Sequence, residues 1–284
     1  MTTDSSIQND PDELDIRVPV SLAERHAGQL AENTLRVAAA HFREHGLCVL
    51  DGALDPELLR RGPAEAEALL DDYLTRAAAG RGGIGVGVEQ GFVEVMQHAP
   101  GRYDMQWDAR HAVFSDLRLS TQAIWRNLVQ TLLGIEYYTL FRGVLMTLPH
   151  AAEHPWHADG EHLFPGDGPA LPAHCLNVMV PMVDLRADNG PTEYCPGSHL
   201  LSKALRRTYQ QDPDLPRRVG FHGRTVAPHL DRGSVVLFDY RIVHRGQPSH
   251  SAVARPVLYL TYGRPWFQDV RTFSTRRLGL PEPR

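Results

Sequence analysis

Lysine is almost missing from this chain: Lys203 is the only one among 29 basic residues in a sequence of 284. The other basic residues are arginines, and 34 acidic residues outnumber them, for a formal net charge of -5 with histidine neutral. That balance gives no global attraction for phosphate backbones or anionic lipid, so neither nucleic acid nor a membrane is expected as a partner. Adjacent arginines at 60–61, 206–207, 217–218 and 276–277 are separated by acidic and apolar residues and read as solvated surface. Cysteine is scarce too, with Cys48, Cys175 and Cys195 alone. An odd, unpaired set argues against a disulfide framework and fits a reducing cytoplasm, each thiol reading as a small buried strand residue. No apolar run is long enough to cross a bilayer. The polar, acidic segment Met1 to Asp15 lacks the basic start and apolar stretch of a secretion signal.

What is present is ordinary for a globular protein: 42% hydrophobic and 22% charged residues. No repeat or linker marks a boundary, so residues 17–284 are expected to form a single domain behind a flexible tail at 1–16. Leu47 to Leu54 reads as a short buried strand. Asp55-Pro56-Glu57 then supplies an N-cap, a first-turn proline and a first-turn acid, and Leu58, Leu69, Leu70, Tyr73 and Leu74 continue a helix. A second amphipathic helix is expected from about Ser115, with Leu117, Ile124, Leu128 and Leu132 on one face. After about residue 137 the pattern changes. Short β-rich runs (Tyr137–Leu148, Cys175–Val183, Gly233–Phe238, Pro256–Tyr262) alternate with Gly, Pro, Asp and Asn turns. The expectation is a mainly β chain, with a jelly-roll core over about 137–267 buttressed by N-terminal helices. Gly80-Arg-Gly-Gly-Ile-Gly85 fits G-x-G-x-x-G, but it follows a helix and opens none, so a mobile loop is the better reading.

The chemistry is concentrated in His157-Ala158-Asp159 and His244. Residues two apart on a strand share a face, so His157 and Asp159 can bind one metal together. A distant histidine completes the 2-His-1-carboxylate set, which leaves three positions open on Fe(II): two for a bidentate 2-oxo acid and one for O2. In a chain with 15 histidines an H-x-D pair means little alone. Here, however, Gly233–Asp239 forms a strand that delivers His244, and Arg255 opens the next apolar run, where a fixed guanidinium can hold a carboxylate bidentately. Two other readings compete. One is a cupin-like metalloenzyme that does not use 2-oxoglutarate, which leaves Arg255 without a purpose. The other is a non-catalytic binding module, which leaves an intact triad unused.

Several longer stretches carry a family resemblance: His157-Ala-Asp159; Asn177-Val-Met-Val-Pro-Met-Val-Asp184; Asn189-Gly-Pro-Thr192 with Pro196-Gly-Ser-His199; and Asp239-Tyr-Arg-Ile-Val-His244-Arg-Gly246 with Arg255-Pro256. Together they resemble the phytanoyl-CoA dioxygenase (PhyH-like) family of Fe(II)/2-oxoglutarate oxygenases over roughly residues 137–267. The nearest likeness is to bacterial members that tailor natural products. The resemblance implies a double-stranded β-helix with His157, Asp159 and His244 on iron. It places Arg255 on the distal carboxylate of 2-oxoglutarate, with Thr192 and Asn177 as further co-substrate contacts. It implies an oxygenase that oxidises a small molecule, by default through hydroxylation, with release of succinate and CO2. A cytoplasmic monomer or homodimer is expected. The arginine-rich, lysine-poor composition matches high-GC bacteria, where such enzymes serve antibiotic biosynthesis. The pattern departs at Gly246, where several relatives have serine. Among the remaining residues, His154, His162 and Glu161 flank the triad as substrate contacts or plain loop residues. His199, Asp184, Asp239 and Arg241 read as structural. Trp266, Phe267 and Tyr262 read as packing, and Phe164 as either packing or lining.

Overall fold

In the computed structural model, residues 14–79, 91–164, 170–201, 225–269 and 276–278 are described. The glycine-rich stretch at 80–85 and positions 1–13 of the expected tail lie outside them. In chain order the elements are β1 (Arg17–Pro19), α1 (Leu22–Ala27), α2 (Glu32–His45), β2 (Leu47–Asp51), α3 (Gly62–Ala79), β3 (Val95–Ala99), β4 (Arg102–Gln106), α4 (Ala112–Ser115), α5 (Arg126–Leu133), β5 (Tyr138–Thr147), β6 (Cys175–Pro181), β7 (Thr192–Cys195), β8 (Val235–Asp239), β9 (Val243–Gly246) and β10 (Arg255–Gly263).

Eight strands form one sheet in the order β1-β2-β8-β6-β10-β5-β4-β3, antiparallel apart from the β1–β2 edge pair. The smaller sheet pairs β7 with β9, and His157 adds to its edge as the bridge partner of His244. The two sheets face each other as a jelly roll, and the period-2 alternation of the central strands sets what lies between them. Along β10, Val257 and Tyr259 turn inward to pack with Met179, Tyr194 and Phe238. Leu258 and Leu260 turn outward to the helices, where Phe42, Leu69, Trp125 and Leu128 cover the large sheet. Each fully buried aliphatic side chain contributes roughly 1.5–3 kcal/mol, so the outer layer fixes the sheet on which the inner face is built.

The helices follow local signals. α1 starts at a capping box in which Ser21 accepts from Glu24 N–H and Glu24 accepts from Ser21 N–H. α2 buries Ala38, Ala39, Phe42 and His45 on one stripe and stops at Gly46, whose φ of 80° lets its N–H return to Phe42. An added Cβ at Gly46 would lie 2.5 Å from His199 Nδ1, so the glycine also lets His199 pack against the helix end.

The structure corrects three expectations. The helix read from Asp55 onward is two pieces: Asp55 caps a 3-10 turn at Pro56–Leu59, and α3 begins afresh at Gly62. The break lies beside Gly62, where an added Cβ would sit 2.6 Å from Met182 Sδ, so the chain is pressed against the β6–β7 connection. The helix read from Ser115 is likewise broken into α4, a 3-10 turn at Leu117–Leu119 capped by Asp116, and α5. Asp116 accepts from Arg118 N–H and so diverts the backbone out of the α conformation. The N-terminal part is also less helical than expected. β1 to β4 all join the large sheet, and the β3–β4 hairpin (VMQHA, RYDMQ) lacks the β-branched run that marks a strand.

Candidate metal centre and its cavity

His157 and His244 are cross-strand partners, each N–H donating to the other's carbonyl at 2.9 and 2.8 Å. Residues opposed in this way send their side chains to one face, and the rings stand 4.3 Å apart, centroid to centroid. Asp159, two residues on, joins them: its carboxylate oxygens lie 3.6 Å from His157 Nε2 and 3.8 Å from His244 Nε2. One ligand atom from each residue falls within 4.8 Å of the others, the only such group among the described residues.

The imidazoles are prepared to coordinate. Nδ1 of His157 lies 2.8 Å from the Pro155 carbonyl, and Nδ1 of His244 lies 3.1 Å from the Ile242 carbonyl. A carbonyl can only accept, so the proton belongs on Nδ1 and the Nε2 lone pair points to the common centre. Burial, reinforced by repulsion from His244, pushes the His157 imidazole down to about 4 despite the opposing Asp159 charge, which keeps it neutral. Asn177 on β6 donates from Nδ2 to Asp159 at 2.6 Å and accepts from Thr261 on β10 at 2.6 Å, so the carboxylate is aimed by a second layer.

The triad opens into a cavity of about 460 Å³ between the two sheets. Arg255, Thr192 and Asn177 all line it. Arg255 is buried at 4% exposure; its Nη2 donates to Thr147 at 2.8 Å, and its Nε has no partner. Arg102, which sequence reasoning missed, lines the same end. It donates to the carbonyls of Ala152 (2.6 Å) and Gln247 and to Thr147. Thr147 on β5 is the Cα partner of Arg102 on one side and of Arg255 on the other. Two guanidiniums are thus held beside one hydroxyl. Burial pulls Arg102 down to about 10; burial, and then the Arg102 charge, pulls Arg255 down to about 9. Two buried cations placed together favour an anion between them. Gly246 makes room for this arrangement, since a Cβ there would overlap Arg102 Nη1. The position where several relatives have serine is filled here by a guanidinium from another strand. A signal was available in the alternation of Arg102 with Asp104, but it lay in a segment assigned to the helical part.

The other sequence candidates separate. His154 lines the cavity, its ring 4.3 Å from that of His157, and burial drives it down to about 2. His162 Nε2 is spent on the Leu201 carbonyl at 2.8 Å, and neither His162 nor Glu161 lines the cavity. Arg241 pairs with Asp239 at 2.8 Å inside the fold, Asp184 accepts from Arg232 N–H, and His199 is buried against α2, as their structural reading implies. Tyr262 packs in the core, bonded to Trp125, whereas Trp266 is 59% exposed and is not packed inside as expected, its ring standing beside those of His174 and Phe267. All three cysteines are free and buried.

Known proteins share this architecture. The epimerase SnoN, whose crystal structure contains Fe3+, alpha ketoglutarate and nogalamycin RO, superposes with a TM-score of 0.59 at 18% identity over 82% of this chain and 85% of its own. In sequence, the chain is 25% identical over 222 residues to Dioxygenase FrzG of Cladobotryum sp, covering 74% of this chain and 68% of FrzG. It is 27% identical over 158 residues to L-proline trans-4-hydroxylase of Streptomyces griseoviridis, covering 49% of this chain and 59% of that enzyme. The profile of the phytanoyl-CoA dioxygenase (PhyH) family runs from Phe42 in α2 to Val257 in β10, and so takes in the triad and both arginines. With three quarters of its length inside that match, this chain belongs to the phytanoyl-CoA dioxygenase family.

Proposed function

We propose that the protein is an Fe(II)- and 2-oxoglutarate-dependent dioxygenase that oxidises a small molecule in bacterial secondary metabolism. One observation carries the reading: a two-histidine, one-carboxylate set shares its cavity with a buried guanidinium whose Nε has no partner among the described residues. The donor set suits Fe(II), because two imidazoles and one carboxylate would hold the ion from one side and leave positions free for other ligands. The orphaned Arg255 suits a carboxylate, since a planar fork recognises two oxygens at once.

In this reading His157, Asp159 and His244 hold the iron, and Asn177 aims Asp159. Arg255 and Arg102 grip the distal carboxylate of 2-oxoglutarate, with Thr147 fixing both guanidiniums and Thr192 beside them. A bound metal would activate O2, which is the oxidant, and the co-substrate would give up two electrons and leave as succinate and CO2. The protein's own part is aim and exclusion of water. The two sheets wall the cavity, and the paired arginines set the direction in which the co-substrate lies. Residues 17–284 act as one catalytic unit, because the cavity draws on β3 to β7, β9 and β10 together. The free, buried cysteines fit a cytoplasmic setting, and among the described residues no helix is long and apolar enough to cross a membrane. The test is anaerobic titration with Fe(II) and 2-oxoglutarate. A weak visible charge-transfer band, absent when either component is omitted, is the expected result; no band from the intact protein would sink the reading.

A further inference from the structure

The cavity has a second end, and its chemistry is opposite to that of the arginines. On β4, Asp104 follows Arg102 at a spacing of two, so both face inward, and both line the cavity. The phenol of Tyr259 donates to Asp104 Oδ1 at 2.9 Å, reaching from β10 across β5 to β4. That reach depends on Gly143, the Cα partner of Tyr259 on β5: a Cβ there would lie 2.6 Å from the tyrosine ring and 2.7 Å from its hydroxyl. The same device occurs a second time. Tyr240 donates to Asp269, also a lining residue, and its ring lies over Gly160, where a Cβ would overlap it. Two tyrosine–aspartate pairs, each seated over a glycine, thus face the cavity that holds the triad.

In both pairs the phenol donates and the carboxylate accepts. Both tyrosines are themselves held protonated: burial first, and then the neighbouring aspartate charges, push Tyr259 and Tyr240 above the ordinary phenol range. Among the described residues the other Asp104 oxygen has only His98, 3.5 Å away at the outer limit of a hydrogen bond. A carboxylate accepts about four hydrogen bonds, so Asp104 has capacity left for a donor from the cavity. The co-substrate end is cationic and suits a dianion, and the far end suits the opposite charge. The remaining lining is aromatic and thioether, with Phe141, Met96 and Met179, which suits the apolar flank of an ammonium group.

We infer that the primary substrate carries a basic amine and that Asp104, together with Asp269, binds its protonated nitrogen and so sets which carbon faces the metal. This rests on the oxygenase reading of the same cavity and adds a substrate class to it: small polar amines, in preference to acyl thioesters or neutral sugars.

The test uses the full-length protein, loaded anaerobically with Fe(II) and 2-oxoglutarate. Calorimetry compares glucosamine, 1,4-diaminobutane and L-prolinamide with their N-acetylated counterparts, which lose the charge and gain an acetyl group, and the aspartate variants below separate the two effects. At least one amine is expected to bind tenfold or more tightly than its acetamide. Asp104→Asn, which keeps the shape and still accepts from Tyr259, is expected to remove that preference while the visible band of the metal–co-substrate complex persists. Asp269→Asn is the second variant, expected to weaken the diamine more than the monoamines. Equal binding of amines and acetamides, or no binding of any amine, overturns the inference. So does an amine preference that survives in both variants. Absence of the band counts against the oxygenase reading instead, because the amine preference is measured separately on the same sample.

Discussion

Replacing Arg255 with lysine removes geometry and keeps charge, and the structure allows the consequence to be worked out. Arg255 spends one nitrogen on Thr147 at 2.8 Å and keeps Nε unpartnered in a site only 4% exposed. A lysine ammonium retains one positive point but loses the planar fork, and with it one charge-assisted hydrogen bond to the distal carboxylate of 2-oxoglutarate. Such a bond is worth roughly 1.5–3 kcal/mol. At about 1.4 kcal/mol per tenfold, that predicts a rise in KM for 2-oxoglutarate of about ten- to a hundredfold. The KM for the primary substrate should move far less, because that end of the cavity is built from other residues. The assay is succinate release under varied co-substrate, with thermal unfolding measured with and without 2-oxoglutarate. Wild-type protein should gain stability from the co-substrate by mass action, and Arg255→Lys should gain little. An unchanged co-substrate KM would refute the reasoning and make Arg255 a structural residue.

His157→Ala or His244→Ala should abolish succinate release and weaken Fe(II) binding with the circular dichroism spectrum retained; near-normal turnover in either variant contradicts the triad. Gly246→Ser should drive its side chain into Arg102 Nη1 and raise KM for 2-oxoglutarate about tenfold, from loss of one charged hydrogen bond; an unaffected KM would show that Arg102 takes no part. Stability should also depend on pH through Glu24. Burial would raise this carboxyl, but hydrogen bonds from Thr34, Ser21 and Ala31 outweigh it and bring it from 4.5 to about 2. A depressed acid stabilises the fold above its unfolded value and loses that contribution as pH falls toward the folded one. Glu24→Gln should therefore lower the urea midpoint at pH 7 and lower it much less near pH 2; an equal deficit at both would assign the effect to shape.

The grouping of the candidate metal ligands was legible in the sequence because a strand's period of two puts His157 and Asp159 on one face whatever the rest of the fold does. β5, β6, β8 and β10 were legible for a related reason: buried strands of a jelly roll read as apolar runs. The partner of Arg255 was not legible. Arg102 reaches the site only through the register of β4 against β5, and β4 is a short polar strand with a carboxylate inside it. Asn177 was expected beside the co-substrate, and its hydrogen bonds to Asp159 and Thr261 appear only when β6 and β10 are side by side. The broken helices around residues 60 and 120 show the converse limit. Apolar spacing survived there, while Asp116 and the close approach at Gly62 decided where the chain bends.

The pairing of β4, β5 and β10 gives the cavity wall the form of a ladder. One rung carries Arg102, Thr147 and Arg255; the next inward-facing rung carries Asp104, Leu145 and Val257; a third carries Gln106, Gly143 and Tyr259. Successive inward rungs lie roughly 7 Å apart, so the grips proposed for the co-substrate and for the substrate occupy separate steps of one frame. Substitutions on the second and third rungs can therefore change what is oxidised while the first stays intact. A one-residue slip of β4 would disable both at once, turning Arg102 and Asp104 together to the helical side. Substrate range can thus drift by point mutation, whereas insertions in this strand are forbidden.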